Sequence, residues 1–159
     1  MDIMDHDEVL RQHLIELLDG GKAHLRYDDV VDGWSAAQRG ARPEGSDHSP
    51  WEVLEHLRIC QRDILEFSRD ADYESPEWPV GYWPTVHEPP TDEAWDESVA
   101  AFRSDLAEMK TLVADEAQDL YQPFAWGEGQ TLLREAMLVA DHNAYHLGEL
   151  MALKKRLVA

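Results

Sequence analysis

The residues of this chain best suited to chemistry are two histidines four positions apart, His142 and His146, in Asp-His-Asn-Ala-Tyr-His-Leu-Gly-Glu-Leu at 141–150. On a helix this spacing places both side chains on one face, about one turn apart, where they can share a metal ion. His56, in Trp-Glu-Val-Leu-Glu-His-Leu at 51–57, is the best third member. Three imidazoles would form a metal site with at least one open coordination position, as in catalytic zinc sites.

Two carboxylates stand close to this pair. Glu149, three residues after His146, is our candidate catalytic residue, as a fourth ligand, a hydrogen-bond acceptor behind the ligands or a general base. Asp141 diverges from His142 by about 100°, which favours an indirect role over ligation. The alternative interpretation is a polar core network without metal, because His-x-x-x-His also arises on helices by chance.

Four long helices must position these residues. Apolar side chains recurring every three or four positions predict them at about 5–18, 50–69, 92–114 and 131–157, with a shorter piece around 23–31. The second begins most clearly, with Ser49 as N-cap, Pro50 at the first helical position and Glu52 completing a capping box. His56 falls on the apolar face of this helix. We therefore predict an all-α fold, a four-helix bundle, in a single domain spanning 1–159.

A segment rich in proline and aromatic residues, 73–90, separates the second and third of these helices. Prolines at 76, 79, 84, 89 and 90 interrupt any helix. Trp78, Tyr82 and Trp83 are interleaved with them. We predict an ordered crossover loop packed along the bundle, whose aromatic side chains either fill its groove or cover a pocket for an apolar substrate.

Composition disfavours several classes of partner. The 33 acidic against 14 basic residues, a formal charge of −19, disfavour nucleic acid and anionic membrane surfaces, because no basic stripe is present. The acidic N-terminus lacks the features of a signal peptide, and no apolar run is long enough to span a bilayer. We expect a cytoplasmic protein. Surplus apolar surface on a bundle favours a homodimer.

Cys60 is the only cysteine, which rules out an intramolecular disulfide and thiolate zinc clusters. It lies one turn after His56 and could approach a metal there. The interpretation we favour is a small buried residue with a protonated thiol. For Arg58 and Arg62, ion pairs on the helix surface are a sufficient explanation. Exposed positions are predicted for three other histidines, His6, His48 and His87.

The chain resembles the DinB-like (damage-inducible) superfamily of four-helix bundles. The resemblance rests on Ser-Pro-Trp-Glu-Val-Leu-Glu-His-Leu at 49–57, on 141–150, on Thr-Leu-Leu-Arg-Glu-Ala at 131–136 and on the Trp-Pro and Tyr-Trp-Pro pieces near 78–84. In that family one histidine of the second helix and two of the fourth form a metal triad, usually with nickel or zinc. The matching residues here are His56, His142 and His146.

The resemblance implies a metal-dependent enzyme acting on a small molecule. Some relatives are thiol S-transferases that use a low-molecular-weight thiol, and others are hydrolases or isomerases. No short motif in this chain identifies a thiol-binding pocket. Two alternatives from other classes stay open: a non-catalytic, stress-related metal-binding protein and a metal-free interaction module.

Overall fold

The computed structural model describes residues 6–158, and its regular secondary structure is helical. The helices are α1 (His6–Asp19), α2 (Tyr27–Val31), α3 (Ala36–Arg39), α4 (Pro50–Arg69), α5 (Ala94–Ala114) and α6 (Leu132–Val158), with a short 3-10 turn at Val80–Tyr82. Residues 6–158 contain no strand, only an isolated β-bridge between Pro123 and Thr131. The all-α prediction is confirmed. The predicted start of the first helix at Asp5 and the acidic segment 1–5 lie outside the described residues.

Helix α4, which carries His56, begins and ends where the sequence predicts. The Ser49 hydroxyl accepts a hydrogen bond from the Glu52 backbone N–H at 3.2 Å, and the Glu52 carboxylate accepts one from the Ser49 N–H at 2.8 Å. This reciprocal pair is the predicted capping box, and it satisfies two backbone donors that a helix start leaves free. The helix therefore has a fixed start, which sets the rotation of every later side chain, including His56.

Helices α5 and α6 begin slightly later than predicted, at Ala94 and Leu132. Thr131 caps α6, whereas the N-cap position of α5 is Glu93, whose side chain makes no capping bond. The Thr91 hydroxyl accepts from the Ala94 N–H, and the Thr131 hydroxyl accepts from the Arg134 N–H, both at 3.2 Å. Helix α3 is missing from the prediction because it has only four residues, too few to show an apolar period.

Replacing Ser49 by alanine should destabilise the protein by about 1 kcal/mol, the usual cost of losing an N-cap hydroxyl. Ser49 is fully buried, and its hydroxyl also donates to the His87 carbonyl, so the substitution loosens the crossover as well. The free energy of unfolding in urea measures the effect. The exposed Ser104 on α5 supplies the control, since Ser104→Ala should change that free energy by less than about 0.5 kcal/mol. Equal stability of the two variants would contradict the capping role.

The long helices pack pairwise around two apolar clusters. Helix α4 lies against α5 and α6, α1 also lies against α5 and α6, and α2 packs on α6. One cluster is built around Leu54, Leu57 and Phe102, and the other around Leu65 and Met109, all inaccessible to solvent. Helix α6 is thus contacted on several sides, as its broadly apolar sequence predicts. The finer prediction of a regular four-helix bundle stays a prediction.

A buried chain of amide hydrogen bonds crosses three helices beside the histidines. Gln61 on α4 donates to the Phe102 carbonyl on α5 at 2.8 Å, and Asn143 on α6 donates to the Gln61 side-chain oxygen at 2.9 Å. Gln61 is only 1% exposed. Because Asn143 directly follows His142, these hydrogen bonds fix α6 relative to α4 next to the predicted metal ligands.

None of the helices within the described part of the chain is both long enough and apolar enough to cross a bilayer.

Candidate metal centre

The three predicted histidines lie together between α4 and α6. The Nε2 atoms of His56 and His142 are 3.2 Å apart. The ring centroid of His146 is 4.7 Å from that of His56 and 4.6 Å from that of His142. His56 and His146 are buried, and His142 is half-buried. The structure therefore places side by side imidazoles that are far apart in the sequence, and their role as metal ligands stays a prediction.

The ring of His56 is oriented by the crossover loop. Its Nδ1 lies 2.7 Å from the carbonyl oxygen of Tyr82. A carbonyl can only accept, so this contact requires the proton on Nδ1. The lone pair of Nε2 is then free and faces His142.

The ring of His146 is oriented in the same way by a carboxylate. Its Nδ1 lies 2.8 Å from Oε2 of Glu149. A carboxylate holds the proton on Nδ1 and leaves Nε2 free. Histidines that bind metals almost always donate their other ring N–H to a carbonyl or carboxylate. Both His56 and His146 meet that requirement, and the catalytic role of Glu149 stays a prediction.

Burial keeps the imidazoles of His56 and His142 in the neutral form that binds metals. It lowers the pKa of His56, with a smaller lowering from the neighbouring His146. It also lowers the pKa of His142 to about 4, together with the charges that His146 and His56 would carry. Both rings are therefore neutral near pH 7, as metal ligation requires. The pKa of Glu149 is also lowered, chiefly by the hydrogen bond from His146, so this carboxylate is ionised.

Cys60 lies within the same group of side chains. Its Sγ is 3.5 Å from Nδ1 and 3.7 Å from Nε2 of His56, and the residue is 7% exposed. Sγ and one nitrogen from each of His56 and His142 all lie within 4.8 Å of one another, so these three side chains could hold a metal ion. Burial raises the pKa of the thiol to about 12. Cys60 is thus buried as predicted, but among metal-ligand side chains.

Trp83 covers the group from the crossover loop. Its ring stacks on the imidazole of His56 with centroids 3.9 Å apart and planes 3° apart. It also stacks on His48 at 3.9 Å and 15°. Nδ1 of His48 is 3.6 Å from the Glu149 carboxylate. The prediction that His48 is exposed is therefore wrong, since it is half-buried beside the site, while His6 and His87 are exposed as predicted.

His48 was missed because its contacts come from segments distant in sequence. The Ser49 hydroxyl donates to the His87 carbonyl, which fastens the end of the crossover to the start of α4. This brings Trp83 against His48. The crossover is further tied to α4 by the Tyr82 hydroxyl, which donates to Asp63 at 2.7 Å. The predicted packing of the crossover is confirmed for Tyr82 and Trp83, whereas Trp78 is 72% exposed.

Replacing Glu149 by glutamine should weaken metal binding by about 10- to 100-fold, the usual effect of removing a group that orients a metal ligand. The amide has no charge to hold the proton on Nδ1 of His146. Competition with a chromophoric chelator measures the affinity. Glu97→Gln is the matched control because it makes the same replacement at an exposed position on α5. Equal affinities in the two variants would show that Glu149 does not support His146.

The protein is therefore an all-helical protein with a cluster of histidines between two long helices, α4 and α6. A family model described as the DinB superfamily matches residues 22–150, a range that includes His56, His142, His146 and Glu149. The chain belongs to the DinB superfamily. Comparisons with curated proteins and with solved structures give no match.

Proposed function

We propose that this protein is a metal-dependent enzyme in which His56, His142 and His146 bind a divalent ion, nickel or zinc. The observation that carries the proposal is that Nδ1 of His56 and Nδ1 of His146 each have a hydrogen-bond acceptor. The Tyr82 carbonyl and the Glu149 carboxylate leave Nε2 of His56 and of His146 free in a group whose ring centroids lie within 5.0 Å of one another. The donor set therefore fits a divalent ion, and its imidazoles suit nickel and zinc alike.

A bound ion would supply Lewis acidity, which lowers the pKa of a water or a small thiol and makes it nucleophilic near neutral pH. The side chains provide the remaining functions. Glu149 is ionised and lies against His146, and we assign it the role of general base. Trp83 lies flat against His56 and holds the plane of that ring. The substrate is a small molecule, and the reaction is transfer to a low-molecular-weight thiol or hydrolysis.

Parallel assays of metal-loaded and metal-free protein test this function. Protein purified without a histidine tag is loaded with nickel or with zinc. It is then incubated with glutathione or cysteine plus a chloronitrobenzene acceptor, and separately with p-nitrophenyl esters and anilides. We expect turnover only in the metal-loaded wild type and none in a His142→Ala variant. Equal rates with and without metal would contradict a metal-dependent enzyme.

Two other functions each have an observation in their favour. Sγ of Cys60 lies close enough to occupy the fourth coordination position of the ion, which would suit a non-catalytic metal-binding protein. In that case chelation lowers the melting temperature, and no substrate is turned over. The 3.2 Å separation of the Nε2 atoms of His56 and His142 also suits a hydrogen bond in a metal-free interaction module. Metal analysis of untagged protein separates this last case from the other two.

The cytoplasmic location, the homodimer and the absence of nucleic-acid or membrane partners stay predictions from the sequence.

A further inference from the structure

Two pairs of ligand side chains face each other across the interface of α4 and α6. His56 and Cys60 are four residues apart on α4, and His142 and His146 have the same spacing on α6. Side chains four apart on a helix are neighbours on one face. The α4 pair therefore presents one nitrogen and one sulfur to a nitrogen of His142, and the ring of His146 lies beside this group.

We propose that Cys60 is a ligand of the same metal ion, so that the centre has three nitrogen donors and one sulfur donor. The inference rests on the proposed function, since it assumes the histidine centre. Sγ of Cys60 lies within 4.8 Å of ligand nitrogens on both α4 and α6, so it approaches both sides of the site. Three imidazoles and a thiolate would give the ion four protein donors, and a zinc ion that expands to five-coordinate still accepts the water or thiol of the proposed function.

Simple apolar packing does not account for this position of the thiol. A buried cysteine that serves only as a small hydrophobic residue is expected among aliphatic or aromatic carbon. Here Sγ lies 3.5 and 3.7 Å from the two nitrogens of His56, on the face of α4 that meets His142. On binding, the S–H bond breaks, its proton passes to the buffer and a sulfur lone pair binds the ion. Neither partner changes oxidation state.

A sulfur donor changes which ions the site prefers. Three imidazoles alone accept several divalent metals, whereas thiolate favours softer, thiophilic ions such as zinc. Replacing Cys60 by serine should therefore weaken zinc binding by about tenfold or more. Removing a hydrogen-bond partner of a metal ligand already costs at least that much affinity. The histidine centre itself should persist in that variant.

Cobalt(II) absorption tests the ligand directly and without any assay of activity. Full-length untagged protein is stripped of metal and titrated with cobalt(II). Tetrahedral cobalt gives visible ligand-field bands with any donor set, and only a thiolate ligand adds an intense near-ultraviolet charge-transfer band. We expect both sets of bands in the wild type, and the visible bands alone in Cys60→Ser.

The outcomes separate this inference from the proposed function. Visible bands without the near-ultraviolet band in the wild type would overturn ligation by Cys60 and leave the histidine centre intact. A near-ultraviolet band that persists in Cys60→Ser would overturn it too, because no other cysteine is present. Failure of the wild type to bind cobalt would overturn both proposals. The wild-type spectrum decides the matter even if the serine variant does not fold, and Cys60→Ala provides a second variant.

Discussion

Replacing His142 by alanine is expected to reduce metal in the purified, untagged protein from about one ion per chain to nearly none, because three imidazoles are the core of the site. Nε2 of His142 lies 3.2 Å from Nε2 of His56, and its ring centroid is 4.6 Å from that of His146. His142 therefore contacts both other histidines. Inductively coupled plasma mass spectrometry after dialysis measures the metal content.

The control for this experiment is His87→Ala. His87 is an exposed histidine of the crossover loop, so its replacement removes an imidazole without touching the site. That variant should retain the metal content of the wild type. Because His142 is only half-buried, its loss should leave the helical circular dichroism spectrum intact. Full metal content in folded His142→Ala would refute the triad.

The second large effect is expected from Gln61→Ala, which should lower the free energy of unfolding by about 1–3 kcal/mol. The substitution leaves the buried Asn143 amide without its partner, and a buried group left unpaired costs about 1–3 kcal/mol, whereas the Phe102 carbonyl keeps its backbone partner within α5. Total stabilities of small domains are about 5–15 kcal/mol, so the variant should be markedly less stable. Urea denaturation followed by circular dichroism measures the change.

Gln12→Ala is the control, since Gln12 is an exposed glutamine on α1 and should contribute less than about 0.5 kcal/mol. A Gln61→Ala protein as stable as Gln12→Ala would show that the amide chain does not hold α4, α5 and α6 together. Loss of metal affinity in parallel with stability would support its position beside His142.

Local signals in the sequence were sufficient to predict the helix that carries His56. Ser49, Pro50 and Glu52 define the start of α4 through contacts that span only three residues, and the apolar period then fixes which face His56 occupies. The spacing of His142 and His146 placed them on one face of α6 by the same logic. The apolar face of α4 made His56 the best third member, the family resemblance supported that choice, and the match over residues 22–150 confirms the family.

The surroundings of the histidines depend on tertiary contacts that leave no periodic pattern. The Tyr82 carbonyl is a backbone atom, so residue type carries no information about its hydrogen bond to His56. The stacking of Trp83 on His48 joins two loops, and loops lack the regular geometry that makes helix faces predictable. For Cys60 the sequence predicts a core residue, because one cysteine on an apolar face carries no signal of its own beyond burial.

The measurement that tests the central claim most directly is anomalous diffraction, at the metal's absorption edge, from crystals of untagged protein. We predict one strong peak between α4 and α6, about 2.0–2.1 Å from a nitrogen of each of His56, His142 and His146 if the ion is zinc. No peak at this position in metal-loaded crystals, or a peak that is not bonded to these three histidines, would contradict the histidine centre.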